Sequence, residues 1–195
     1  MKLNQDPETF YPENKAEWRA WLQENHALKQ SVWLIFYKKT AGRPTITWSE
    51  AVDEALCFGW IDSISRSIDD ERYMQFFCKR KPMSTWSKIN KDKVSLLIET
   101  GMMTTAGRHC IDIAKQNGSW TILDEVEALI IPEDLNAALS KQPEALIYYM
   151  GLSRSVKKSI LQWLVLAKRS ETRTNRVTAV VNFCTEQMVP KQFRP

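Results

Sequence analysis

The sequence predicts an α+β fold, with a small antiparallel sheet of about four strands in the N-terminal half followed by a helical C-terminal half. Two observations carry this expectation. Segments rich in β-branched and aromatic residues all fall before about residue 80, and from Asn90 onward every periodic segment has helical spacing. That order favours segregated layers over βαβ units and a parallel sheet.

After an irregular, Pro-containing start, Asn14 can cap a helix through about Leu28, with Trp18, Trp21 and Leu22 forming one apolar stripe. Val32 to Lys39 (VWLIFYKK) reads as a strand. Thr40 to Pro44 is a turn into the short run TITW, which is expected to pair with it. Thr47 and Glu50 form a capping box for a helix over Ser49 to Phe58, which Gly59 stops at the C′ position. WIDSISRSI and RYMQFFCKR, separated by the polar turn Asp69 to Glu71, supply two further strands. Helices follow near Asn90 to Thr100, Thr104 to Asn117, Pro132 to Lys141, Pro143 to Gly151, Ser153 to Lys168 and Ser170 to Met188, with Gly101 and Gly118 as stops.

No Gly, Ser or Pro linker separates independent bodies, so the 195 residues are expected to form one compact domain. A subdivision into a sheet-containing part, 1–88, and a helical part, 89–195, is the alternative. An apolar fraction of 44% with eight Trp and seven Phe excludes global disorder. The start lacks an apolar signal-peptide core, and no stretch reaches the roughly 18 apolar residues of a membrane span. The expected location is the reducing cytoplasm, without membrane insertion and with free thiols.

Cys57, Cys78, Cys110 and Cys184 are far apart, with no C-x-x-C pair and no short spacing to His26 or His109, so no metal site and no cofactor are expected. Phosphate-cradling glycine loops, H-E-x-x-H and EF-hand patterns are absent, and neither histidine stands beside a nucleophile elbow. Cys57 reads as a buried structural cysteine near a helix C-terminus, where the dipole disfavours a thiolate.

Charge is the more informative signal. Although the net charge is only +4, the stretch 72–93 holds seven basic residues against Asp92 alone, and 151–195 holds nine against Glu171 and Glu186. Within the first, FCKRKPMSTWSKIN reads as a ligand-facing loop: Lys79, Arg80 and Lys81 offer charge, Ser87 and Asn90 offer neutral donors at a helix start, and an exposed Trp86 could stack on a planar ring. The bland alternative is a solvated connection with Trp86 packed inward. In the second, Arg169, Arg173 and Arg176 fall on one helical face able to clamp a phosphate or carboxylate, or else to pair with the acidic middle segment. Asp62, at the start of a strand, could act as a base or an orienting acceptor.

EALCFGWIDS (54–63), DDERY (69–73), RKPMSTWSKIN (80–90), MTTAG (103–107) and AKRSETR (167–173), in this order, resemble the YdeI/OmpD-associated, or bacteriocin-protection, family. W-x-x-W-L-x-x-N-H from Trp18 extends the resemblance toward the start, and it runs to about Pro190. Where relatives tend to have Thr-Pro before Arg-Lys-Pro, this chain has Cys78 and Lys79. The resemblance implies an envelope-stress and bacteriocin-protection context without a reaction, and a small α+β module with basic neighbours, for which anion or nucleic-acid binding is an analogy.

Together these features read as a binding module for an anionic ligand, either nucleic acid or a phosphorylated or carboxylated small molecule, on which the loop and the arginine face converge. Two alternatives stay open. One is a small metal-independent enzyme with Asp62 as base and Arg80 or Arg173 holding substrate. The other is a protein-interaction adaptor in envelope stress that uses exposed aromatics such as Trp33 or Tyr148.

Overall fold

The computed structural model describes residues 8–194. The irregular start expected for the first residues lies partly outside this range. The chain falls into two compact units, one through Trp120 and one from Thr121.

The first unit contains strands β1 (Thr9–Phe10), β2 (Ser31–Tyr37), β3 (Trp60–Ser67) and β4 (Arg72–Lys79), and helices α1 (Lys15–Asn25), α2 (Trp48–Cys57), α3 (Lys88–Glu99) and α4 (Thr105–Gln116). The sheet order is β1-β2-β4-β3. β4 runs antiparallel to both β2 and β3, whereas β1 runs parallel to β2, so the four-stranded sheet is mixed. The fourth strand is therefore not TITW, which forms no strand. Its Thr45 hydroxyl instead accepts from the Tyr37 backbone N–H at 3.2 Å, and Ile46 is buried, so the segment seals the end of β2 without extending it. The incomplete alternation of WIDSISRSI also has a cause. One extra residue between Asp62 and Ser65 bulges β3 against β4 and leaves Ile64 exposed.

The helix signals hold closely. Asn14 accepts from the Glu17 N–H to cap α1, and Thr47 and Glu50 exchange both bonds of the capping box that starts α2. The core of the unit gathers Trp18 and Leu22 from α1, Val52, Ala55 and Leu56 from α2, and Leu34, Phe36, Trp60 and Phe77 from the sheet. Glu54 is fully buried among them. Its carboxylate meets Arg19 at 2.6 Å and Lys15 at 3.2 Å, tying α1 to α2 by charge pairs that offset the desolvation of a buried anion.

The second unit contains α5 (Asp124–Glu127), α6 (Glu133–Ser140), α7 (Pro143–Gly151), α8 (Arg154–Val165) and α9 (Ser170–Thr185). α5 had no sequence signal, being a single turn. The other four helices lie where the sequence places them, each within three residues at either end. They close around Leu135, Leu139, Tyr149, Ile160, Leu164 and Val180. The α+β reading stands. No described helix is long and apolar enough to cross a membrane.

Candidate functional site

Four segments of the first unit meet around a cleft of about 320 Å³. The end of α1 supplies His26 and Ala27, and the α2–β3 turn supplies Phe58, Gly59 and Trp60. The end of β4 and its following loop supply Lys79, Arg80 and Pro82, and one face of α4 supplies Ala106, His109, Cys110 and Ile113.

Local chemistry places each wall. Gly59 takes φ +72°, a left-handed conformation that glycine adopts without strain, so α2 ends and β3 begins without an intervening loop. Trp60 then pairs with Lys79 in the antiparallel register, and the Arg80 N–H donates to the Gly59 carbonyl at 2.9 Å. α4 comes close because residue 107 is glycine: a Cβ there would stand 2.4 Å from the Cys57 carbonyl oxygen. Thr104 both caps α4 and donates its hydroxyl to that same carbonyl at 2.5 Å. Residues 106, 109, 110 and 113 thereby share the helix face turned to the cleft. His26 donates Nδ1–H to the Leu22 carbonyl at 2.8 Å.

Arg80 dominates the electrostatics. It is only 8% exposed, its guanidinium carbon lies 3.6 Å from the Trp86 ring centroid, and Nη1 donates to the Thr85 carbonyl at 3.0 Å. Its buried Nε has no hydrogen-bond partner, and no carboxylate pairs with the side chain among the described residues. Burial pulls the guanidinium down to about 10, against a smaller opposing effect from Cys110 and Asp62. Burying an ion costs several kcal/mol, and a desolvated stack on Trp returns about 2 kcal/mol, so the protein's own groups under-compensate the charge. Among the described residues, no Asp or Glu lines the walls. Burial also raises the Cys110 thiol, with the Arg80 charge acting in the opposite direction.

Of the residues expected from sequence, Lys79 and Arg80 enter this cleft, although the Lys79 ammonium donates to the Ala27 carbonyl at 2.8 Å. Lys81 is exposed on the loop, which is anchored where Asn117 Nδ2 donates to the Pro82 carbonyl at 2.8 Å. Trp86 is not an exposed stacking platform. It is 2% exposed, packed against Trp120 at 5.0 Å, and one ring face is taken by Arg80. Ser87 accepts from the Asn90 N–H as the cap of α3, so these two residues close a helix end. Asp62 is not among the lining residues: Oδ2 accepts from Trp48 Nε1 at 2.9 Å and from Gln75 Nε2 at 3.0 Å, the role of an orienting acceptor on the sheet. Trp33, expected exposed, is 5% exposed beneath Arg66.

The three arginines of the C-terminal cluster belong to the second unit. Arg173 makes a two-pronged pair with Asp134 at 2.7 and 2.8 Å, and Arg176 donates to the Trp163 carbonyl and stacks on its ring. Arg169 is exposed at the start of α9. Sequence reasoning passed over His26, His109 and Cys110 as site residues, since their proximity depends on two helices remote in sequence. The available signal was that the chain's two histidines fall near segments that also carry family motifs. No group of three metal-ligating side chains occurs among the described residues.

Fold and cleft define an α+β protein whose sheet-containing unit carries a cleft lined by Lys79 and Arg80. The chain belongs to the family described as Domain of unknown function (DUF8412), whose model matches residues 10–110. Residues 128–186 match the model described as Bacteriocin-protection, YdeI or OmpD-Associated, in keeping with the resemblance read from the sequence. The motifs from EALCFGWIDS through MTTAG thus lie in the first match, and AKRSETR lies in the second. No curated protein and no solved structure matches the chain.

Proposed function

We propose that the chain is a binding module whose first unit takes a small anionic organic molecule in the cleft formed by α1, the α2–β3 turn, the end of β4 and α4. The observation that carries this reading is Arg80, a nearly buried cation with an orphaned Nε and, among the described residues, neither a counter-ion nor an acidic neighbour in the wall of the cavity. An anion entering there gains from a charge already desolvated and immobilised, and the protein is relieved of an uncompensated ion. Lys79 adds a second positive charge, and the volume lies at the lower end of the range for small-molecule sites. The polymer version of the reading is less well supported, because Trp86 and two of the C-terminal arginines are already engaged within the protein. The bacteriocin-protection description of the second match supplies a setting for such a sensor or carrier rather than a reaction.

The test is a thermal-shift screen of the intact chain with inorganic phosphate, citrate, benzoate and oligonucleotides, each at low and high salt. A small anion should raise the midpoint and keep doing so in salt, and Lys79→Met should weaken the shift. Shifts confined to oligonucleotides and abolished by salt would replace this reading with nucleic-acid binding on the exposed basic loop. Silence throughout would overturn it in favour of a protein partner.

A further inference from the structure

We propose that the anion is a carboxylate carried on an apolar body, an amphipathic monocarboxylic acid. The inference rests on the anion-site reading above and narrows it.

The first argument is the state of the guanidinium. The Arg80 guanidinium lies over the Trp86 ring, and Nη1 is spent on the Thr85 carbonyl. Nη2 donates to no acceptor among the described residues, and the orphaned Nε lies beside it on the same edge. That edge is a planar pair of parallel donors, a geometry matched by the two coplanar oxygens of a carboxylate. A tetrahedral phosphate would match the fork with two oxygens and turn its remaining ones toward other walls.

The second argument is what those walls offer. Beyond Arg80 and Lys79 the apolar lining is Phe58, Trp60 with its indole N–H, Ala106 and Ile113, suited to an aryl or short alkyl body, beside the polar side chains of His26, His109 and Cys110. That indole N–H is already committed to the His26 carbonyl at 3.3 Å. A charge at one side of an apolar cavity selects a ligand polar at one end. Small hydrophilic anions forgo the apolar contact, and neutral aromatics leave Arg80 unpaired.

Isothermal titration of the intact chain with benzoate, octanoate, acetate, benzamide, phenyl phosphate and inorganic phosphate tests this. Benzoate and octanoate should bind at least about tenfold tighter than acetate and tighter than phenyl phosphate, with benzamide silent. Arg80→Lys keeps the charge but removes the fork, and should lower benzoate affinity about tenfold or more. Ile113→Asp, at a half-buried wall position, should abolish benzoate binding with the thermal midpoint retained, which guards against a folding defect in the Arg80 variant. Phosphates binding as tightly as benzoate, and losing affinity in Arg80→Lys, would overturn the carboxylate inference and leave the anion reading intact. Benzamide matching benzoate, or no probe binding at all, would overturn both.

Discussion

The Arg80 guanidinium carbon lies over the indole of Trp86, 3.6 Å from its centroid, while Trp86 itself packs on Trp120. The pair joins the cleft wall to the core. Trp86→Leu removes the platform and opens a cavity, and should cost about 3–4 kcal/mol in denaturant unfolding, toward the lower part of the range for large core truncations. Anion binding should fall with it, because Arg80 loses the surface that holds it in place.

Two glycine substitutions should have opposite signs. Gly107→Ala drives a methyl group to 2.4 Å from both the Cys57 carbonyl oxygen and Met103 Sδ, and should cost about 1–3 kcal/mol by pushing α4 away from α2. Gly151→Ala, at the end of α7 in open space and without a positive φ, should stabilise by about 0.4–1 kcal/mol through the unfolded chain. Urea midpoints of the two variants check both.

Asp62→Asn distinguishes an orienting acceptor from a base. Asp62 Oδ2 receives N–H bonds from Trp48 and from Gln75, whose side chain is 6% exposed. The substitution weakens two charge-assisted bonds and should lower stability by about 1–2 kcal/mol. An unchanged thermal midpoint would contradict that role.

Thiol reactivity should divide the four cysteines. Burial pushes Cys57 and Cys184 up to about 11, and both are buried, whereas Cys78 and Cys110 are half-buried. A thiol reagent near neutral pH should modify Cys78 and Cys110 first and reach the other two only on unfolding. Benzoate should slow modification of Cys110, which lines the cleft, and spare Cys78, a contrast that mass spectrometry reads directly.

The Arg173–Asp134 pair predicts an acid-dependent effect in the second unit. Hydrogen bonds from Arg173 hold the Asp134 carboxyl below its ordinary 3.8, so the pair stabilises above that value and its contribution is lost as pH falls through the lowered one. Both side chains are partly exposed, so solvent screening limits the effect, and Arg173→Ala should cost about 0.5–1 kcal/mol at neutral pH. The difference from the parent should shrink as the pH falls below 3.8, as denaturation at neutral and at acid pH would record.

Local order carried a great deal in this chain. Asn14, Thr47, Ser153 and the positive-φ glycines Gly59, Gly101 and Gly118 mark helix ends through bonds and torsions within a few residues, so those boundaries were legible in the letters alone. The same holds for the paired strands 60–67 and 72–79, joined by a short polar turn. The parallel partner of β2 was not legible. Two residues, Thr9 and Phe10, have no periodicity, and they become a strand because β2 offers an unpaired edge beside them. Charge patterning drew attention to Lys79 and Arg80, which line the cleft, yet the surroundings of Trp86, Arg173 and Arg176 turned on burial and pairing. Residue type shows that a guanidinium or an indole is available, but only packing decides whether a neighbour has already taken its donors or its ring face. For the cleft itself, the sequence determined the chemistry of each wall. Tertiary structure alone decided that His26, Phe58, Arg80 and His109, spread over more than eighty residues, border one cavity, because that depends on the angle at which α4 crosses the end of α2 at Gly107.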